Sequence, residues 1–274
     1  MACRFARLFS GGRMNYLRLL REFLRVNIMS ELAYRVNFLV QLFQSLLELA
    51  TALGGLAVIF SFTKTLGGWR SDEVLALVGV YFLVGGLIGL VIQPGMAQLI
   101  DSVRDGTLDF TLTKPEDAQL LVSIKRVEIW KFVDIVLGIT VLAIALIRLR
   151  EQVTGWQAMA FAGMLLAGAC IIYSFWLMLA TLSFWFVRVE NILVIFQSMY
   201  EAGRWPISLY PGWLRFLLTF IVPVAFAITV PAEALTGRLS WQTLLGAAIL
   251  SVILLIIARL FWKAGLRHYS GASA

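Results

Sequence analysis

Long apolar runs separated by short polar intervals dominate the pattern along this chain. Most of the runs reach the roughly 20 residues that an α-helix needs to cross a bilayer. Several lack a polar face, which a helix surrounded by water does not tolerate. The pattern therefore predicts an all-α integral membrane protein. The clear spans cover about residues 36–62, 74–92, 132–147, 158–187 and 241–261.

Composition and charge support this class. Hydrophobic residues make up 60% of the chain and charged residues 14%, against about 25% charged in soluble domains. The net charge of +7 is explained by a positive-inside bias, so no nucleic-acid partner is predicted. With the N-terminus inside, 16 Lys and Arg residues fall on the cytoplasmic side and five in the opposite loops. This predicts a multi-pass protein of the plasma (inner) membrane with both termini cytoplasmic.

Residues 1–35 are rich in arginine and lack an uncharged apolar core, which excludes a secretory signal peptide. An organellar transit peptide stays open, and Met14 is a second candidate start. From residue 15 on, apolar positions share one helical face, while Arg18, Arg21 and Arg25 fall on another. Such a helix lies on a membrane surface, with its arginines toward lipid phosphates. Packing against a partner subunit is the alternative.

The first span carries a polar face, formed by Asn37, Gln41, Gln44, Ser45 and Glu48. Lipid would penalise this face, so it is expected to point at another helix or a polar cavity. Gln41, Gln44 and Glu48 are accordingly candidates for a translocation path. A hydrogen bond between helices is the favoured interpretation for Glu48. A Gly85-Gly86-Leu87-Ile88-Gly89 pattern in the second span predicts a close approach to another helix.

Residues 94–131 form the longest polar interval between apolar runs, here called the central segment, and we interpret them as a cytoplasmic coupling segment. Pro94-Gly95 is expected to end the second span, and Asp105-Gly106 to form a turn. Strict alternation over 107–113 predicts a short extended element or a bend. Thr113 to Glu116 fits a capping box for a helix that continues into the third span. There, Lys131 and Asp134 are expected to form an ion pair.

Residues 206–236 contain four prolines within apolar sequence. We expect a re-entrant hairpin that dips in from the outer side after a short fifth helix over 191–204. A fifth span kinked at Pro206 and continuing through 217–230 is the alternative. Both leave six spans in a transmembrane domain of residues 36–262, followed by a cytoplasmic tail over 263–274.

Catalytic signatures are absent from the sequence. His268 is the single histidine, no Cys/His set has metal-binding spacing, and no phosphate-binding loop occurs. The acids of the central segment are interleaved with basic residues, which is typical of a docking surface. The chain is therefore predicted to be no enzyme and to hold no cofactor. The alternative is a membrane-embedded lipid or glycan transferase that acts without an ATPase partner.

The central segment also resembles a known family. Arg104-Asp105-Gly106-Thr107-Leu108-Asp109, followed by Leu112-Thr113-Lys114-Pro115, is similar to the signature of ABC-2-type ABC transporter permeases, and closest to a short six-helix branch. The resemblance extends over nearly the whole chain, to Glu31–Arg35, Gly67-Gly68-Trp69, Tyr210-Pro211 and Pro223.

This resemblance implies a six-helix permease of the type V exporter kind, with an N-terminal interface helix and a re-entrant segment before the last helix. It implies an outward transporter driven by a separate ABC-type ATP-binding subunit, which holds the ATP and Mg. A second permease subunit, identical or paralogous, completes the unit. The ATPase would dock on the loop between helices 2 and 3, and the expected contact residues are Arg104, Asp105, Gly106, Thr107, Leu108, Asp109, Lys114 and Pro115.

Overall fold

A computed structural model of the chain describes residues 35–149, 153–186 and 190–269. The predicted amphipathic helix with Arg18, Arg21 and Arg25 lies outside the described residues. Within these ranges the regular structure is helical and contains no strand. In chain order, the α-helices are α1 (Arg35–Phe62), α2 (Ser71–Leu87), α3 (Gln93–Arg104), α4 (Asp109–Leu112), α5 (Ala118–Ile124), α6 (Phe132–Arg148), α7 (Gly155–Thr181), α8 (Glu190–Glu201), α9 (Gly212–Phe216), α10 (Val224–Ala227), α11 (Thr229–Leu235) and α12 (Trp241–His268).

Five helical stretches are long and apolar enough to cross a membrane, and a sixth crossing results if the bent pair at 212–235 is counted. That pair bends by 69° between its two halves. The prediction of an all-α membrane protein is confirmed. The five stretches are Phe38–Phe62, Ser71–Arg104, Ile129–Arg148, Gly155–Phe184 and Trp241–His268.

The second span does not end at Pro94-Gly95, as the sequence suggested. A π-helical turn over Ile88–Ile92 joins α2 directly to α3, which continues to Arg104. Proline lacks the N–H that would bond the carbonyl four residues earlier, which here is that of Leu90. The backbone N–H of Glu128 donates to this carbonyl instead, at 2.9 Å. A bond from a distant part of the chain thus replaces the one that proline removes, and the helix continues.

Replacing Glu128 by proline is expected to destabilise the bundle, because the Leu90 carbonyl would lose its donor. A buried carbonyl without a partner costs about 1–3 kcal/mol. Glu128→Ala keeps the N–H and loses the side chain, with its half-exposed contact to Arg126 at 3.6 Å, so it serves as the control. Thermal unfolding of both variants in detergent would measure the difference. Equal melting temperatures would contradict this role of the Glu128 amide.

The alternation over 107–113 does not produce an extended element. Residues Asp109–Leu112 form the single helical turn α4, and no strand lies in the described residues to pair with this stretch. Its apolar residues separate: Leu108 is buried, whereas Phe110 and Leu112 are exposed. The predicted turn at Asp105-Gly106 is confirmed, with Gly106 at a φ of +67°.

The predicted start of the next helix was also wrong. Helix α5 begins at Ala118 and is capped by Asp117, whose carboxylate accepts from the backbone N–H of Gln119 at 2.9 Å. It ends at Ile124 and does not continue into the third span, because the chain must turn to bring the Glu128 N–H to Leu90. The predicted ion pair between Lys131 and Asp134 is confirmed, with 3.0 Å between Nζ and Oδ2.

Glycines bring α2 and α6 into close contact, and this pair forms the largest helix interface. A Cβ at Gly138 would lie 2.4 Å from the backbone nitrogen of Leu83, and one at Gly79 would lie 2.8 Å from that of Leu142. Of the predicted small-residue pattern, Gly86 and Gly89 face α6 and its start, and Gly85 faces Tyr200 of α8.

The segment 206–236 begins and ends at the same end of the bundle. Ser208 Oγ donates to the carbonyl of Gly67 at 3.2 Å, and Arg238 Nη2 donates to that of Gly68 at 2.7 Å. Between these anchors, the Phe226 carbonyl approaches Gly168, halfway along α7. The backbone therefore enters the bundle to about half its depth and returns. We call this end the glycine-loop end and the opposite one the central-segment end.

Candidate functional site

The turn between α3 and α5 presents a mixed polar and apolar surface. Phe110 is 75% exposed, and Leu112 and Pro115 are exposed beside it. Arg104 is exposed and donates to both neighbouring carboxylates, at 3.1 Å to Asp101 and 3.2 Å to Asp105. One cation thus bridges two carboxylates next to the exposed apolar side chains. Thr107 is also exposed in this turn.

Two residues of the predicted contact set shape the turn instead of forming its surface. Gly106 adopts a left-handed conformation that a residue with a Cβ rarely takes. Leu108 is completely buried, and its N–H donates to the Ser102 carbonyl at 3.1 Å. The Leu108 side chain therefore holds the turn against the bundle and offers no surface to a partner.

Asp109 and Lys114 are partly buried. Asp109 lies against Tyr269 beyond the end of α12; burial raises the pKa of Tyr269, and the Asp109 charge raises it further. Lys114 lies near Lys125, whose pKa is lowered by burial and, to a smaller extent, by the Lys114 charge. The turn thus interacts electrostatically with the C-terminal ends of both α12 and α5.

A second cluster lies deep in the bundle around Glu48, halfway along α1. Arg204 Nη2 donates to Glu48 Oε1 at 2.6 Å, and the Tyr81 hydroxyl donates to the same oxygen at 3.2 Å. The Arg204 guanidinium also lies 5.3 Å from the centre of the Tyr81 ring. Tyr200 stacks on Tyr81 and donates to its backbone carbonyl at 2.9 Å. The favoured hydrogen bond at Glu48 is therefore present, as part of an ion pair.

The remaining polar residues of α1 extend from this cluster along one face. Ser45 is buried, Gln41 is half-buried and Gln44 is exposed; the side chain of Asn37 lies outside the described residues. The side chains of Glu48 and Arg204 are themselves 37% and 24% exposed. Charges at this depth avoid lipid, so this face borders protein or water in the assembled molecule.

A cavity of about 480 Å³ lies between α3 and α8. Asp101 lines it at the central-segment end, and Glu201, three residues before Arg204, lines it on α8. Gln93, Gln197 and Ser198 add further polar groups. The lining therefore extends from Asp101, three residues before Arg104, to Glu201, three residues before Arg204. Among the described residues, no group of His, Cys, Asp and Glu could hold a metal ion.

Three contributors were missed from the sequence. Phe110 was assigned to the apolar side of an extended element, because alternation alone does not show that this stretch forms a helical turn. Arg204 was left without a role, since its partner Glu48 is 156 residues away. Arg259 was counted only as a cytoplasmic charge, although it donates to both carboxylate oxygens of Asp117.

Comparison with known proteins adds the family. No curated protein and no solved structure matches the chain significantly. The family model described as ABC-2 family transporter protein matches residues 46–273, which comprise every described helix except the first part of α1. This match covers most of the chain and includes the central segment, the Glu48 cluster and Arg259. The chain therefore belongs to the ABC-2 family of transporter proteins.

Proposed function

We propose that this chain is the transmembrane subunit of an ATP-driven exporter, powered by a separate ATP-binding subunit that docks on residues 94–131. As an ABC-2 permease, the chain is a membrane transport component and not itself an enzyme. Permeases of this family generally work with ATP-binding subunits. In this proposal the ATP and Mg are bound by that partner, and this chain supplies the path across the membrane.

The observation that carries the proposal is the exposed apolar tip of the central segment. Phe110, Leu112 and Pro115 are exposed within six residues, surrounded by charged groups and outside the spans. Exposed apolar groups close together with a polar rim are typical of a protein-binding surface. Arg104, Asp105, Thr107, Asp109 and Lys114 form that rim, while Gly106 and Leu108 fix its shape. A soluble ATPase with an apolar cleft is the partner that fits.

The exposed ion pair at mid-depth supports a second permease, identical or paralogous. Gln44, Glu48 and Arg204 are partly or fully exposed on one chain, at a level where lipid would otherwise surround them. Two permeases facing each other would enclose this stripe and the water near it. In that arrangement Gln41, Gln44 and Glu48 line the translocation path.

The distribution of charge supports the orientation. The central segment, Arg259 and Tyr269 share one end of the bundle, while the loop at Gly67 and the anchors of the 206–236 hairpin share the other. With the positive-inside bias, the central-segment end is cytoplasmic in the plasma membrane and the hairpin opens to the outer side. Cargo then moves from the central-segment end toward the glycine-loop end.

Purification of the tagged chain from its native membrane in mild detergent, followed by mass spectrometry, tests the proposal. We expect an ABC-type ATPase and a second permease in the eluate. Phe110→Ala should reduce the recovered ATPase by roughly tenfold, since a central aromatic residue often contributes 1–2 kcal/mol or more to an interface. Phe62→Ala removes an even more exposed phenylalanine at the opposite end of the bundle and is the matched control.

Two results would contradict the proposal. If the purified parent chain contains no ABC-type ATPase, the proposal of an ATP-driven exporter is wrong. The second test compares variants that still insert with the parent chain. If Phe110→Ala and a scrambled sequence over 104–115 both recover as much ATPase as the parent, the ATPase does not dock on the central segment.

A further inference from the structure

One polar network fastens the central segment to two distant helices. Arg259 of α12 donates to both carboxylate oxygens of Asp117, with 3.0 Å between Nη1 and Oδ1, and also to Gln119 Oε1 at 2.6 Å. Gln119 Nε2 donates to the Tyr173 hydroxyl of α7 at 3.1 Å, and Ser123 Oγ lies 2.8 Å from the same hydroxyl. Three side chains of α5 and its cap thus meet α7 and α12 within one connected set of hydrogen bonds.

This ion pair joins parts of the chain that are far apart in sequence. By contrast, the pairs Arg104–Asp101, Arg126–Glu128 and Lys131–Asp134 join residues no more than three positions apart. Such pairs stabilise local turns. Asp117 and Arg259 are separated by 142 residues and lie on different helices. Their two parallel bonds also fix the relative orientation of the two groups, as a single contact between point charges would not.

Asp117 also determines where α5 begins. Its Oδ1 accepts from the backbone N–H of Gln119 at 2.9 Å and of Leu120 at 3.4 Å, while Arg259 bonds both oxygens. The pKa of Asp117 is held below its usual range, chiefly because of the bonds from Arg259. The carboxylate therefore stays ionised at neutral pH. A movement of the capped end of α5 cannot occur without either moving α12 or breaking these bonds.

We propose that Asp117 and Arg259 are positioning residues that transmit movement of the central segment to the last span, with Gln119 and Tyr173 carrying it to α7. The inference rests on the proposed function, since the movement would start at a docked ATPase. The network lies directly after the exposed tip, so a push on residues 107–115 reaches Asp117 first. Arg259 lies nine residues before the end of α12, within the span itself, so the displacement acts on the helix and not on its loose end.

The test separates transmission from docking. A single cysteine at Leu245, an exposed position in the opposite end of α12, is placed in a chain with Cys3 and Cys170 replaced by serine. Its labelling rate with a maleimide is measured in the complex with its co-purified ATPase, with and without ATP plus orthovanadate. We expect a nucleotide-dependent change in the parent. Arg259→Gln should reduce that change by roughly fivefold or more, while the ATPase stays bound.

Two conservative variants and one control separate the effect of the charge from that of the two parallel bonds. Asp117→Asn keeps a side chain that caps α5 well but loses the charge, so it should behave like Arg259→Gln. Arg259→Lys keeps the charge without the two parallel bonds and should retain part of the response. Arg267→Gln, at the exposed end of α12, should leave the response unchanged.

Three results would overturn the inference. An undiminished nucleotide response in Arg259→Gln would show that α12 moves without this contact. Loss of the ATPase from the variant complex would assign the residues to docking instead. If the parent preparation contains no ABC-type ATPase, both the proposed function and this inference are wrong. This result is seen in the parent, before any variant is compared.

Discussion

A valine in place of Gly138 is expected to prevent α2 and α6 from assembling. A Cβ at this position would lie 2.4 Å from the backbone nitrogen of Leu83, 2.8 Å from its Cα and 2.9 Å from the Gly79 carbonyl. All three are backbone atoms, so no side chain can rotate to make room. The helices would have to separate along the largest interface of the bundle. Overpacking of this kind costs typically about 1–3 kcal/mol, and contact with a backbone places this case at the upper end.

The comparison uses a second helical glycine. At Gly163 in α7, nothing lies within 4 Å of an added Cβ, so Gly163→Val tests the residue change without the clash. We expect Gly163→Val to elute as the parent does in size-exclusion chromatography. Gly138→Val should give little monodisperse protein and a lower melting temperature. If both variants behave alike, the close approach of α2 and α6 at Gly138 is wrong.

The fold class and most span positions could be predicted because they depend on local composition. A run of about 20 apolar residues has few alternatives to a membrane helix, so α1 and α6 were placed to within one residue at each end. The start of α12 was also predicted correctly, but this helix continues to His268, seven residues past the predicted end of the span. The turn at Gly106 could likewise be predicted, since the Asp105-Gly106 pair favours a left-handed conformation. The close contact at Gly86 and Gly89 followed from the spacing of small residues, although the sequence did not identify α6 as the partner.

The errors arise where a distant part of the chain decides the local structure. Pro94 has the usual properties of a helix terminator, and only the Glu128 N–H, 34 residues away, satisfies the carbonyl that it leaves open. Alternation over 107–113 predicts a strand only if a neighbouring strand exists, and this bundle supplies none in the described residues. The helix after Lys114 begins at Ala118 and not after Thr113, because Asp117, held by Arg259, supplies the cap.

The candidate site could also be predicted only in part. The motif located the turn but did not show which of its residues are exposed. Leu108 and Phe110 are close in sequence and similar in hydropathy, yet Leu108 is buried and Phe110 is exposed. Glu48 stood out as a charge inside a span. Arg204 did not, because the short helix before it and the prolines after it leave its depth in the membrane undefined by pattern alone.

Removing Arg204 is expected to have the second large effect, because it leaves Glu48 without its cation at mid-depth. Arg204→Leu removes a 2.6 Å charged hydrogen bond. Breaking a fully buried pair costs about 3–5 kcal/mol and a surface pair about 0–1; with side chains 37% and 24% exposed, we expect on the order of 2 kcal/mol. The loss would appear as a lower melting temperature and a lower yield of folded protein. Arg204→Lys, which keeps a cation, should lose less.

A paired variant then distinguishes the two interpretations of Glu48. Glu48→Gln combined with Arg204→Leu removes both charges, so no unpaired ion is left and folded protein should return to near the parent yield. If the pair only joins α1 to the residues after α8, the ATPase turnover of the complex should return as well. If Gln41, Gln44 and Glu48 line the path, turnover should stay low although the protein folds. Failure of the double variant to recover its yield would contradict the charge-pair explanation itself, because no ion would then remain to account for the loss.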